Sequence, residues 1–247
     1  MQEKLEGIIL NETPYKESSK ILNIYTKKYG LIGIIAKGAK SLKSPLRATT
    51  SKFTYANFYC YYKENKLSLL TQVDIIDNFS NIKQDITLIS YMSYLCDLTY
   101  QVLKEDENAN LFDMLINALK KINDGLDPLI LSNIIELKYL DFLGVSLDLD
   151  KCIKCSSKKN IITIDGDAGG FICSNCNKDE LIVSPKTIKM IRMYYYVDIS
   201  SITSINVSDE VKREINLFLN KYYERYTGLY LKSKEFLLKL NKIKDIN

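Results

Sequence analysis

SKILNIYTKKYGLIGIIAKGAK, residues 19–40, holds two short apolar or alternating runs, 20–26 and 31–36, joined by the turn signal Lys28-Tyr29-Gly30. This reads as two strands of a hairpin, each turning one face to a core. The same texture continues outward on both sides. Further runs at 5–10, 53–62 and 66–75 are set off by Asn11-Glu12-Thr13-Pro14, by a long loop over 37–51 and by Lys63-Glu64-Asn65-Lys66. Five strands in so short a span predict a small closed or partly open barrel. The OB-fold is the five-stranded barrel most often found holding oligonucleotides, and an SH3-like barrel reads almost the same.

The hairpin lies inside an unusual block of charge. From Ser18 to Lys63 there are nine basic side chains and no Asp or Glu, which leaves 25 basic against 30 acidic residues in the remainder. A run of lysines is ordinarily a solvated face. An acid-free span of this length instead suits a polyanion, because each cation that neutralises a phosphate releases condensed counterions and no carboxylate opposes it. Within the long loop, Gly38 and small neighbours let the backbone approach a phosphate, while Lys37, Lys40, Lys43 and Arg47 supply charge. The candidate nucleic-acid contacts are Lys20, Lys27, Lys28, Lys37, Lys40, Lys43, Arg47 and Lys52. Tyr25, Tyr29, Phe53, Tyr55, Phe58, Tyr59, Tyr61 and Tyr62 are interleaved with them. Such rings offer stacking platforms for single strands, but strand aromatics also pack well on a half-buried sheet, so they weigh less than the charges.

Composition narrows the chemistry. The 247 residues are 46% hydrophobic and 26% charged, ordinary values for a globular chain long enough for two or three modules. There is no histidine, which removes Ser-His-Asp and Cys-His nucleophile systems and His-ligated catalytic metals. No glycine-rich run ends in Gly-Lys-Ser or Gly-Lys-Thr, and no carboxylate cluster for Mg²⁺ stands out. A binding protein is expected, not an enzyme. No window approaches the roughly 18 apolar residues of a membrane span, and the polar, acidic start of the chain is unlike a signal peptide. The expected location is the cytoplasm, in association with the nucleoid, and no membrane partner is expected.

After Asn78-Phe79 the period changes from two to between three and four. Ile86, Ile89, Met92, Leu95, Cys96, Thr99, Val102 and Leu103 mark a helix to about residue 104, a second is expected over 109–122, and Asp127-Pro128 opens a third that Gly144 stops. Ser184-Pro185, residues 209–226 and residues 229–240 predict three more. Between the two helical blocks stand Cys152-Ile153-Lys154-Cys155 and Cys173-Ser174-Asn175-Cys176, separated by 17 residues that read as a hairpin. Two such knuckles at that spacing fit a tetrahedral zinc site, with Cys152, Cys155, Cys173 and Cys176 as ligands of one structural Zn²⁺. Disulfides are disfavoured in a reducing compartment, and a redox pair needs one C-x-x-C, not two. Cys60 and Cys96 sit in apolar patterns and are expected to be buried. The expected organisation is an α+β chain: an OB-like barrel over 1–79, a helical bundle over 80–150 and 181–247, and a zinc ribbon over 151–180 inserted into that bundle. Removing the metal is then expected to lower helix content as well as to dissolve the hairpin.

The opening GIILNETPYKESSKIL (7–22), followed by YTKKYG (25–30), AKGAK (36–40) and KSPL (43–46), resembles the RecO family of bacterial recombination mediators, and the Ser-Pro opening at 184 with LKSKEFL (231–237) extends the resemblance to nearly the whole chain. It implies an N-terminal OB-fold, a helical domain and, in many members, a zinc ribbon. It also implies that residues 37–47 are similar to the family's basic DNA-binding segment. Implied activities are binding of single- and double-stranded DNA, annealing of complementary strands and, with RecR, help in loading RecA onto DNA coated by single-strand binding protein. The resemblance further implies a site for that protein's acidic, hydrophobic tail on the helical domain. Without the resemblance, an RNA-binding or ribosome- or transcription-associated adaptor built from a barrel and a ribbon is the competing reading, since lysines do not distinguish RNA from DNA phosphates.

Overall fold

In the computed structural model, which describes residues 2–107 and 110–244, the opening hairpin is formed by β2 (Ser19–Thr26) and β3 (Gly30–Ala36), paired from Lys20 opposite Ala36 to Thr26 opposite Gly30. Gly30 takes a positive φ of 64°, which a side-chain-bearing residue would adopt only at a cost. With β1 (Gln2–Tyr15), β4 (Tyr55–Tyr61) and β5 (Ser68–Asp77), the hairpin closes a barrel in the order β1-β2-β3-β5-β4, and β3 meets β5 in parallel. That non-sequential closure is the Greek-key order of an OB-fold.

β1 is longer than the sequence pattern predicts. Its first half pairs with β4 (Gln2 to Ile8) and its second with β2, across a bulge between Ile9 and Asn11. The expected turn at Asn11-Glu12-Thr13-Pro14 therefore lies inside the strand, and the chain reverses at Lys16, whose φ is 53°. Pro14 is tolerated because this end of β1 has β2 as its sole partner, so one edge needs no donor. Strand alternation turns Ile9 into the barrel with Leu5, Leu22, Ile24, Ile34 and Phe58, while Ile8 and Leu10 point outward.

Those outward residues join a second and larger core. Ile8, opposite both Tyr25 on β2 and Tyr55 on β4, forms with them a row against the helices α2 (Ser80–Gln84), α3 (Ile86–Glu105) and α4 (Phe112–Asn123). Ala109, where the second helix was expected to begin, lies outside the described residues, as does Asn108 of the preceding break. Tyr25 meets the ring of Phe112 edge-on at 5.4 Å between centroids, and its hydroxyl accepts the Leu111 N–H at 2.8 Å. Leu111 occupies the N-cap of α4 and cannot cap with its own side chain, so the strand tyrosine satisfies a donor the helix leaves open. Tyr25→Phe keeps the packing and strands that buried N–H. The expected cost is about 1–3 kcal/mol in urea unfolding of the whole chain; an unchanged midpoint would show that another acceptor reaches Leu111.

The helices after the ribbon return to the same core. α5 (Pro128–Phe142) is capped by Asp127, whose carboxylate accepts from Leu129 and Ile130 N–H, and it packs against α3, α6 (Pro185–Tyr196) and α7 (Asp209–Tyr226). At the start of α6 the expected cap is replaced. Ser184 makes no side-chain cap, and Glu214 of α7 accepts both the Ser184 N–H and the Thr187 hydroxyl. α8 (Lys232–Lys244) lies along α3. Buried residues from Met92 through Ile134 to Ile191, Phe218 and Leu237 belong to one cluster. A short helix α1 (Leu46–Thr49) interrupts the expected loop between β3 and β4. No helix among the described residues is long and apolar enough to cross a membrane.

Candidate nucleic-acid interface and metal centre

The basic loop begins where β3 leaves the barrel. Ala39 is fully buried in the barrel core and the Lys40 N–H donates to the Ser18 carbonyl at 2.8 Å, so the loop is anchored at the β1–β2 turn. Gly38, with φ 67°, makes the reversal that lets Ala39 turn in while Lys37 and Lys40 turn out. Lys37, Lys40, Lys43 and Arg47 are all exposed, and none forms an ion pair among the described residues. Lys16, in the turn that anchors the loop, adds an exposed cation just outside the acid-free stretch.

The other candidates are placed differently. Lys20 pairs with Glu12 at 2.9 Å, Lys27 with Asp113 at 2.8 Å, Lys28 with Glu3 at 2.7 Å and Lys52 with Asp97 at 3.0 Å. Every one of these carboxylates lies outside the acid-free stretch and is brought in by the fold. The hydrogen bond from Lys28, followed by that from Tyr29, holds the Glu3 carboxyl below its usual range. The bond to Asp113 raises the Lys27 ammonium above its own. The eight candidate cations do not all stand together. Lys27 and Lys28 follow the far end of β2, six strand steps or roughly 20 Å from the Lys20 end where the 37–47 loop starts.

Most of the aromatics are structural. Tyr25, Phe53, Tyr55 and Phe58 are buried, and Tyr29 stacks on Tyr62 at 4.1 Å with planes 3° apart. That stacked pair lines a groove of about 620 Å³ between the β4–β5 loop and the end of α3, where Lys63, Lys66 and Lys104 stand with Glu107. The groove is a second cationic region, separate in sequence from the loop.

The four knuckle cysteines meet at one end of the hairpin formed by β6 (Ile161–Asp165) and β7 (Gly170–Cys173). Their sulfurs all lie within 4.8 Å of one another, with Cys155 and Cys173 Sγ 3.6 Å apart. A tetrahedral ion with bonds of about 2.3 Å to sulfur sets its ligands on edges of about 3.8 Å, so the donor set fits zinc, whereas a disulfide would need about 2.05 Å. Burial opposes ionisation of the Cys152 thiol, yet N–H groups of Cys173, Lys154 and Cys155 aimed at its sulfur bring its pKa down to about 6. The neighbouring sulfurs push the Cys176 thiol the other way, up to about 12, so without a cation the four do not ionise together. The charge around it is already spoken for in part: Lys154 pairs with Glu180 at 2.6 Å and Lys151 with Asp148 at 3.1 Å. The first of these, with the Lys178 N–H, lowers the Glu180 pKa to about 2. Cys60 and Cys96 are buried.

At its other end the hairpin rests on α7. A Cβ built on Gly166 would meet the Cβ of Lys221 at 2.6 Å and the Phe218 carbonyl at 2.8 Å, and the Tyr226 hydroxyl donates to the Asp167 carbonyl at 2.9 Å. Ile164 and Phe171 contribute to the helical core.

Two family models together match almost the whole chain: the one described as Recombination protein O N terminal over residues 1–79, and that described as Recombination protein O C terminal over residues 83–235. A DNA repair protein RecO of Listeria monocytogenes serotype 4b is 36% identical over 244 residues, covering 97% of this chain and 95% of the relative. A protein of that name from Bacillus pumilus is 35% identical over 247 residues, covering 98% of this chain and 96% of its own length. One from Bacillus velezensis is 34% identical over 250 residues, covering 100% and 98%.

Proposed function

Because this chain belongs to the RecO family of DNA repair proteins, we propose that it works without catalysis of its own, as a mediator that binds single- and double-stranded DNA and anneals complementary strands. The observation that carries this reading is the loop bearing Lys37, Lys40, Lys43 and Arg47: exposed cations without intramolecular partners among the described residues, anchored on an OB barrel. Such a surface neutralises phosphates and makes no demand on base edges, so two strands can approach with their bases free to pair. Lys20 and Lys28 pair within the barrel, Lys27 and Lys52 pair with α4 and α3, and all four reach DNA only by giving up a carboxylate.

The modules divide this work. Residues 1–79 hold the backbone, residues 80–150 with 181–247 dock protein partners, and residues 151–180 form a ribbon closed by Zn²⁺ on Cys152, Cys155, Cys173 and Cys176. Four thiolates leave no open coordination position, so the ion is structural. The partners in this reading are RecR, the tail of single-strand binding protein and, through RecR, RecA. The ammonium groups of Lys121 and Lys138 are engaged by the carbonyls of Ile202 and Tyr195, so neither is a free rim cation for an acidic tail.

Annealing of complementary strands coated with single-strand binding protein tests the reading directly. The chain is expected to accelerate it, and acceleration should fade as salt rises. Competition among single-stranded DNA, single-stranded RNA and duplex DNA separates it from an RNA adaptor: no annealing, with RNA preferred, would sink the mediator reading.

A further inference from the structure

The groove of about 620 Å³ beside the Tyr29–Tyr62 stack runs between the barrel and the helical body and shares no residue with the basic loop or the cysteine cluster. Its barrel wall exists because the closure is incomplete. β5 pairs with β3 at Ile34 and Ile35, so the edge of β3 from Gly30 to Gly33 has no strand beside it there, and Leu31, Ile32 and Gly33 line the groove. An unpaired edge presents backbone donors and acceptors. The connection from β4 to β5 that borders it is held in place. The Lys63 N–H donates to the Ser68 hydroxyl at 3.1 Å, and Leu67 lies so close over Gly33 that a Cβ there would meet its Cδ2 at 2.7 Å.

Three cations line the groove, Lys63 and Lys66 from the barrel and Lys104 from α3. All three are exposed and none makes an ion pair among the described residues, where Glu107 is the one carboxylate in the lining. A cationic groove with an aromatic wall suits a nucleotide strand, whose phosphates meet the lysines while its bases stack on the rings. An extended acidic peptide also uses a strand edge, but it leaves the rings idle, and the stretch from Leu31 to Gly33 is short for strand addition. The groove does not continue the loop. Between the two, strand alternation turns the cross-strand pairs Ile21 with Ile35 and Asn23 with Gly33 outward, and these carry no charge. Lys20, at the loop end, is taken up by Glu12.

We infer that this groove is a second single-strand site, so that one chain holds two strands at once, the first on the basic loop and the second here. The inference rests on the mediator reading and extends it, because two sites on one barrel bring both partners of an annealing reaction to the same molecule.

Titration of the full chain with a short oligothymidine tests it, with stoichiometry read by calorimetry and the mass of the complex by analytical ultracentrifugation. The intact chain is expected to bind two oligomers per monomer. Joint replacement of Lys63, Lys66 and Lys104 by Ala should leave one, bound within about twofold of the loop site's intact affinity, and should slow annealing about tenfold or more. If that variant does not fold, Lys66→Glu alone decides. Tyr62→Leu should weaken the second site about fivefold or more for oligothymidine and leave an abasic strand of the same length unaffected, since that strand has phosphates but no bases to stack. With Lys37, Lys40, Lys43 and Arg47 changed to Ala, the groove site should remain alone. A single bound oligomer whose affinity falls in both multiple variants means one continuous track and overturns the inference. Oligoglutamate bound in the groove as tightly as oligothymidine also overturns it, and assigns the groove to an acidic peptide. One oligomer bound on the loop and unmoved by the groove variant sinks this inference alone; no oligomer bound by the intact chain sinks the mediator reading with it.

Discussion

Stripping the Zn²⁺ proposed for the ribbon, or replacing Cys173 with Ser, is expected to lower the thermal midpoint of the helices by about 10 °C or more, and not merely to loosen a surface hairpin. Binding energy of a structural Zn²⁺ is folding energy, roughly 10–16 kcal/mol in isolated zinc-finger peptides. Here the hairpin is wedged between α6 and α7 and part of the common core. Ile164 and Phe171 are buried among helical residues, Gly166 lies against the backbone of α7, and Arg192 of α6 sits 5.0 Å from the centre of the Phe171 ring while donating to the Leu149 carbonyl. When the knuckles open, these contacts lose their register and α6 and α7 lose their cover. A loss of about 4 kcal/mol is the size seen when a metal or a core element goes. In a chain of this length each kcal/mol moves the midpoint by about 2–4 °C. Far-UV circular dichroism followed through a thermal ramp, with and without a thiol-competent chelator, reads it. A midpoint unmoved after full release of the ion would mean that the bundle stands without the ribbon.

The second large effect is on DNA. Joint replacement of Lys37, Lys40, Lys43 and Arg47 by Ala should flatten the log-log dependence of single-strand affinity on salt by about 2.8, since each neutralised phosphate contributes about 0.7 to the slope. If about five phosphates are neutralised by the intact chain, its slope is about −3.5, and little of it survives. Stability should hardly change, because these side chains are exposed and make no ion pairs among the described residues. The contrasting set is Lys20, Lys27, Lys28 and Lys52. Their removal unpairs Glu12, Asp113, Glu3 and Asp97 and leaves a smaller mark on the slope. An unchanged slope in the loop variant would put the DNA elsewhere, with the groove of Lys63, Lys66 and Lys104 as the next surface to alter.

Both expectations depend on features that were unequally visible in the residues. The cysteine cluster was legible because its signal is local: two C-x-x-C knuckles and a hairpin between them bring four sulfurs together with little help from the rest of the chain. The helices were legible from their period, and so was the cap at Asp127-Pro128. Strand ends were read less well. The Asn-Glu-Thr-Pro segment has the composition of a turn, and its place inside β1 follows from pairing that needs the whole barrel.

The sequence alone determined what periodicity and spacing can encode: a β front, a helical body, four clustered thiols and a front segment emptied of acids. It could not determine which cations are free, because charge is compensated in space and the carboxylates that neutralise Lys20, Lys27, Lys28 and Lys52 come from Glu12 and Glu3 of β1, from α3 and from α4. Nor could it pair Glu136, buried on α5, with Lys234 of α8. Only the tertiary structure decided these, because Coulomb and hydrogen-bond energies fall off with distance through space and take no account of separation along the chain.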